Sequence, residues 1–340
     1  MATRMDRHKQ NDQANKKEKQ KKKDKTNKST PASIEEQPKK KKHKKIWYVL
    51  GIIIVLLALF LGKIYLDAKN TVNNMQQEAG NSESLKQANQ NVRQGKPISI
   101  LLLGTDDGAL DRASQGGLTD TMMVMTLNPS KKSGVMMSLE RDSYVDIAGQ
   151  GTKAKLNSAY SYGVDTAIQT VEQLLNIPID FYATINMQGL QDLVNAVGGV
   201  TVDSNIAFTF DGYTFEKGPN KIETGAEALS FTRMRKEDPE GDYGRQRRQR
   251  ALVNAIMKKM GSITSIAHYK EILDTVQKNM KTDMSWSTMV ALGTKYRRCF
   301  NNMENDYLHG TDFMQDGISY QDISGDLSRV QSVLQQSLAE

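Results

Sequence analysis

Six arginines fall within residues 230–250, at Arg233, Arg235, Arg245, Arg247, Arg248 and Arg250. A guanidinium stays charged at any physiological pH, and its planar fork meets two phosphate oxygens at once. Arginines brought together from a strand end and a helix start suit a multiply charged anion. A run of arginines is, taken alone, more often a solvated basic face.

Local phase divides the six. Residues 228–234 (ALSFTRM) read as a strand, whose alternation puts Arg233 and Arg235 on one face. A helix starting near Tyr243 aligns Arg245, Gln249, Leu252 and Ile256 on one face. The apolar end of that face must point to the core, so Arg245 and Gln249, with Arg248 beside them, are directed inward. A helix N-terminus itself favours anions. Arg247 and Arg250 line up with Asn254 and Lys258 and read as surface charge.

Carboxylates supply the complementary chemistry. Asp106 and Asp107 follow an apolar run ending in LLLGT, Asp120 precedes a second such run, and Arg141 follows a third. Asp106 brought near Asp120 makes a hard-cation site, because magnesium takes carboxylate oxygens and keeps waters for phosphate ligands. Each aspartate by itself is more often a loop or capping residue. Their value lies in flanking the same pair of strands.

These groups need a rigid frame, and hydrophobic patterning provides one. Strands are expected at 98–103, across TMMVMTLNP and at 133–139, with Lys131-Lys132 in the hairpin between the last two. A helix over 162–176, a strand in IPIDFYATIN, a helix in MQGLQDLVNAVGG and a strand in GVTVDS follow. Helices are expected again over 263–279, 285–298 and 325–338. Strands alternating with helices predict an α/β fold: a layered α-β-α domain with a central mixed sheet, preceded by one N-terminal transmembrane helix.

Charge is spread unevenly. Of 46 Lys+Arg and 39 Asp+Glu, 17 and 6 fall in residues 1–45, leaving 29 against 33 beyond. The basic balance belongs to an apolar-poor tail that is expected to be disordered. Residues 46–66 are 21 residues with Lys63 as their one charge, enough at ~1.5 Å per residue to cross a ~30 Å hydrocarbon core. Trp47, Tyr48 and Tyr65 sit at interfacial positions. The run is longer than a signal-peptide core and has no A-x-A-like site after it. Lysines before the span place residues 1–45 in the cytoplasm and the rest outside. Residues 67–96 read as a polar stalk or a short helix leading off the membrane, and residues 97–340 as one extracytoplasmic catalytic domain.

Cys299 is the only cysteine, so no intrachain disulfide forms, and the four histidines show no zinc-ligand spacing. Nucleic-acid binding by the tail rests on charge alone.

Seven motifs in unbroken order, LLLGTD, TDTMMVMTLNP, MMSLERDSYVDI, KLNSAYSYG, IPIDFYATINMQGLQDLVNAVGGV, GAEALSFTRMR and DYGRQRRQ, resemble those of the LytR-CpsA-Psr family. The resemblance covers residues 96–260. It implies a phosphotransferase that moves a glycopolymer, such as wall teichoic acid or capsular polysaccharide, from an undecaprenyl-pyrophosphate carrier to peptidoglycan. It implies Mg2+ (Mn2+ as an alternative) on Asp106 and Asp120. Asp107 or Asp111 is an alternative to Asp106, because the intervening loop varies in length. It assigns the strand-end arginine to Arg141 and pyrophosphate binding to Arg233, Arg235, Arg245 and Gln249. Lys155 and Asn157 also match. Asp120 is expected to act as base or as metal ligand only. Met122, Met123, Met125, Met136 and Met137 either line a tunnel for the prenyl tail or pack the core.

Two other functions use the same features. A lipid-pyrophosphate hydrolase needs only water as acceptor. A non-enzymatic membrane-bound regulator would bind nucleic acid through the tail.

Overall fold

The computed structural model describes residues 42–77, 79, 82–105, 117–260 and 269–340. Asp106, Asp107, Asp111 and residues 1–41 of the tail lie outside them.

Six strands form one mixed sheet in the order 280–282, 181–186, 98–105, 119–128, 133–139, 303–307. The first strand, Ile98–Thr105, pairs antiparallel with Thr119–Asn128 and parallel with Phe181–Asn186. Ser133–Leu139 pairs antiparallel with Thr119–Asn128 and parallel with Met303–Tyr307. Neither parallel pair is consecutive in the chain, and each is joined by a long connection that includes helices, as parallel pairing requires.

Both faces of the sheet are buried, as its near-continuous apolar strands require. Leu101, Leu103, Met122 and Met137 pack against Val171 and Leu175 of the Val164–Leu175 helix and Val330 and Leu334 of Ser324–Leu338. Ile100, Met123, Met125 and Met136 face the other way, toward Ala88, Val92, Leu292 and Cys299. The five methionines are thus split between two opposed clusters as core filler. A third cluster joins the Met187–Ala196, Gly225–Arg233 and Asp242–Met260 helices, with Leu193, Phe231, Leu252 and Ile256 at its centre.

One expectation changes and another is narrowed. Residues 228–233 are not a strand but most of the Gly225–Arg233 helix, and Met234 is its C-cap. Thr224 caps it, accepting from Glu227 N at 3.2 Å, while Glu227 reaches back to Glu223 N at 2.7 Å. This reciprocal cap is the S/T-x-x-E signature, and it outweighs the β-propensity of a short apolar run.

Residues 67–96 take the helical alternative rather than an open stalk. One helix runs over Lys42–Met75, and a second, Ser82–Gln94, packs on the sheet. Ala68, Val72 and Met75 are buried at i, i+4, i+7, as are Ala88 and Val92. Few apolar residues suffice when they share one helical face. Within the first helix, Gly51–Met75 is long and apolar enough to cross a membrane, its most apolar 18-residue window having a mean hydropathy of 2.1.

Candidate functional site

The hairpin between the second and third strands sets the first contact. Its register pairs Met122 with Leu139, and two residues further along each strand stand Asp120 and Arg141. Arg141 Nη1 donates to Asp120 Oδ1 at 2.5 Å. Arg141 Nε lies 3.4 Å from Asp142 Oδ2, and Lys155 Nζ donates to Asp142 Oδ1 at 2.7 Å. Asn157 N donates to Arg141 O at 3.0 Å, so the KLNSAY segment is bound directly to the strand end.

The Asp242–Met260 helix brings its first turns to the same edge. Asp120, Arg141, Asp242, Arg245, Gln246 and Gln249 line one cleft. Asp242 Oδ1 forms ion pairs with Arg245 Nη2 at 2.9 Å and Arg235 Nε at 3.3 Å, and Asp242 Oδ2 accepts from Arg245 Nη2 at 3.1 Å. Arg235 follows the Gly225–Arg233 helix and is exposed, as is Arg233 in the last turn of that helix. Arg233 has no ion pair among the described residues. Four expected residues, Asp120, Arg141, Arg245 and Gln249, therefore share the cleft, with Arg235 tied to it through Asp242.

The remaining arginines divide differently from their sequence phase. Arg247 is exposed and pairs with Glu240 at 2.9 Å. Arg248, expected beside the site, is buried and structural: it donates to Phe231 O at 3.0 Å and Met234 O at 2.5 Å, and pairs with Asp238. Arg250, expected in solvent, is also buried. It donates to Ser138 Oγ at 2.5 Å and lies 5.8 Å from the Tyr307 ring. The helix is covered on that side too, by the Met303–Tyr307 strand, with Asn254 bonded to Asn305 at 2.9 Å. Burial, and next Arg247, lower the pKa of Arg250 to about 10.

Three site residues escaped the sequence reading. Asp242 organises two arginines. Gln246 Nε2 bridges Asp242 Oδ2 at 3.2 Å and Glu140 Oε2 at 2.8 Å. Glu140 is buried, and burial, then Asp242, raise its pKa to about 7. The available signals were the i, i+4 spacing of Asp242 and Gln246 and the position of Glu140 at a strand end.

The cluster is charged and incompletely satisfied. Burial depresses the pKa of Arg245; Asp242 opposes that, while Arg141 and Arg235 add to it. Burial also disfavours the Arg141 cation, but Asp120, Asp142 and Asp242 outweigh it and raise its pKa. Arg245 Nε and Gln246 Oε1 are buried without a hydrogen-bond partner, and Arg141 Nε and Asp242 Oδ1 are buried with ion-pair contacts only. Buried polar atoms are normally hydrogen-bonded, so this under-satisfied set in one cleft marks where a polar ligand belongs. The cleft measures only 10 Å³ with the arginines folded onto Asp120 and Asp242. A larger cleft of 690 Å³, beside Tyr144 and Phe313, holds none of these residues.

A hard cation has a thinner donor set. Among the described residues no group of three metal-ligating side chains occurs. Asp120 is one-third exposed with one oxygen held by Arg141. That suits a magnesium ion held mostly by phosphate oxygens and water, which needs only one or two carboxylates.

Comparison with known proteins bears on this constellation. The profile of the LytR_cpsA_psr family matches residues 62–336. Polyisoprenyl-teichoic acid–peptidoglycan teichoic acid transferase TagU of Enterococcus faecalis is 45% identical over 303 residues, covering 87% of this chain and 98% of that protein. The crystal structure of B. subtilis TagU superposes with a TM-score of 0.58 at 36% identity, over 72% of this chain and 98% of that one. The structure of TagT bound to LI-WTA gives a TM-score of 0.59 at 29% identity, over 72% and 91%.

Proposed function

The chain belongs to the LytR-CpsA-Psr family, and from that premise we propose that it transfers a teichoic acid-type glycopolymer to peptidoglycan. The observation that carries this to the site is the set of under-satisfied arginine nitrogens on Arg141 and Arg245 in one cleft. The donor is a polyisoprenyl pyrophosphate, of the undecaprenyl class, bearing the polymer. Its pyrophosphate takes the places that Asp120 and Asp242 fill for the arginines, with Arg233, Arg235, Gln249 and Lys155 at the rim.

An acceptor hydroxyl of the glycan attacks the phosphorus that carries the polymer. The bond from that phosphorus to the bridging oxygen breaks, and polyisoprenyl phosphate leaves with the electron pair. Arg141 and Arg245 neutralise charge that builds on the phosphoryl oxygens, in a preorganised and partly buried setting. Asp120 supplies the carboxylate that takes the hydroxyl proton or ligates the cation. Magnesium would be held by Asp120, with Asp106 as the expected second ligand, and would screen the pyrophosphate charge.

The apolar helix anchors the chain in the membrane. Lysines before it set the tail in the cytoplasm and the catalytic domain outside, where peptidoglycan lies. The test is to supply the full chain in vesicles with labelled lipid-linked polymer and glycan strands. Label moving to glycan is the expected result, whereas polymer released without attachment identifies a hydrolase and refutes the transferase.

A further inference from the structure

The Lys42–Met75 helix changes surroundings along its length. From Ile52 to Leu61 its large apolar side chains are exposed, and Tyr65 and Leu66 still are. Ala68, Thr71, Val72 and Met75 are buried against protein. The run of exposed apolar side chains therefore ends within two turns of Leu61.

At that changeover two aromatic residues from distant elements pack on the helix. The Tyr269 ring meets Phe60 edge-on at 6.4 Å, and the Trp286 ring meets Tyr65 at 5.5 Å. Tyr269 Oη donates to Asp67 Oδ2 at 3.2 Å, and Asp67 pairs with Lys63 at 3.3 Å. Phe60 and Asp67 are about 10 Å apart at the helical rise, so one tyrosine reaches from an apolar turn to a charged one. Trp286 opens the Trp286–Lys295 helix, Val290 stands exposed one turn on, and Arg297 and Arg298 are exposed beyond its end. Amphipathic aromatics flanked by cations are the composition of a membrane–water boundary.

We propose that Tyr269, Trp286 and Val290 form a seat on the headgroup region of the bilayer that the chain's own helix spans. The seat holds the globular unit flush with the membrane at a fixed height. Resting on the transfer reaction proposed above, it keeps the arginine cleft level with the pyrophosphate of a membrane-embedded carrier. Height control of this kind is positioning, and misplacement of a bound substrate is costly.

The chain has two tryptophans, Trp47 and Trp286, so Trp47→Phe leaves Trp286 as the single reporter. The full chain carrying that change is reconstituted in vesicles of phosphatidylcholine and phosphatidylglycerol. A nitroxide near the headgroups should quench Trp286 about twofold, and one at the bilayer centre should quench it little. Emission that the shallow label leaves unchanged overturns the seat. The double variant Tyr269→Ala, Trp286→Ala then tests its role. Transfer from a long-chain carrier in vesicles should fall about tenfold, with transfer from a short-chain, water-soluble carrier unchanged. Loss on both carriers, or on neither, overturns that role. Quenching is read without any reaction, so failure of the transferase reading shows separately.

Discussion

Arg245 Nη2 lies 2.9 Å from Asp242 Oδ1 within the first turn of one helix. Both side chains are largely buried, and the same carboxylate takes Arg235 at 3.3 Å and Gln246 at 3.2 Å. Asp242 is thus an internal stand-in for an anion, holding cations together that burial and mutual repulsion disfavour. A multiply charged anion reaching the cleft would find the guanidinium groups already gathered.

Asp242→Asn keeps the shape and removes the charge. Charge-assisted hydrogen bonds are worth about 1.5–3 kcal/mol, so kcat/KM for transfer should fall by about ten- to a hundredfold. Initial rates on lipid-linked polymer measure this, and wild-type activity in Asp242→Asn removes the organising role.

Arg141 and Arg250 separate chemistry from stability. Arg141→Ala should abolish transfer with little change in melting temperature, because Arg141 has the partly open side of the cleft. Arg250→Ala strands Ser138 Oγ and leaves a void beside Tyr307. It should cost about 1–3 kcal/mol of stability. Thermal denaturation and activity of both variants decide, and a silent Arg250→Ala would show that its burial carries no energy.

Much of this was legible before the structure. The hairpin register follows from two apolar runs joined at Pro129–Lys132, and it alone sets Asp120 opposite Arg141. Helical phase puts Arg245 and Gln249 on the face that lines the cleft, because Leu252 and Ile256 tie that face to the core. Phase fails for Arg250, since a late strand, Met303–Tyr307, covers a face that reads as polar. It fails for Arg248, whose charge is met by Asp238 across a turn that no periodicity reports. The helix at Gly225–Arg233 was readable from its Thr224–Glu227 cap. The folded state of residues 67–96 was obscured by a polar composition in which a few buried side chains share one face.

Glu140 makes stability depend on pH. Its pKa is about 7 in the fold, against 4.5 for an unperturbed carboxyl, so the folded state holds this proton more tightly than the unfolded chain. Its contribution is fully present below about pH 4.5 and is lost as pH rises through about 7, amounting to about 3 kcal/mol at most. Burial raises Asp283 to about 7 as well, adding a slope of the same sign. Glu140→Gln should therefore flatten, without abolishing, the fall in urea midpoint between pH 4.5 and 7. Parallel curves for the two proteins would remove Glu140 as the source.

The cation proposal has the most direct test. Asp120 is a shared group: one oxygen receives Arg141 at 2.5 Å, and the carboxylate is one-third exposed toward the cleft. A chelator should stop transfer, and added magnesium should restore it. Asp120→Asn keeps one neutral oxygen in place but lowers the charge available to the ion, so the half-saturating magnesium concentration should rise by about tenfold or more. The same substitution weakens the hold on Arg141, which lowers the maximal rate at any magnesium concentration. A magnesium titration of wild type and variant separates the two effects. Full activity of the wild type in chelator would exclude the metal while leaving the arginine frame of Arg141, Arg235 and Arg245 intact. An unchanged magnesium midpoint in Asp120→Asn would move the ligand role to the other expected aspartate, Asp106.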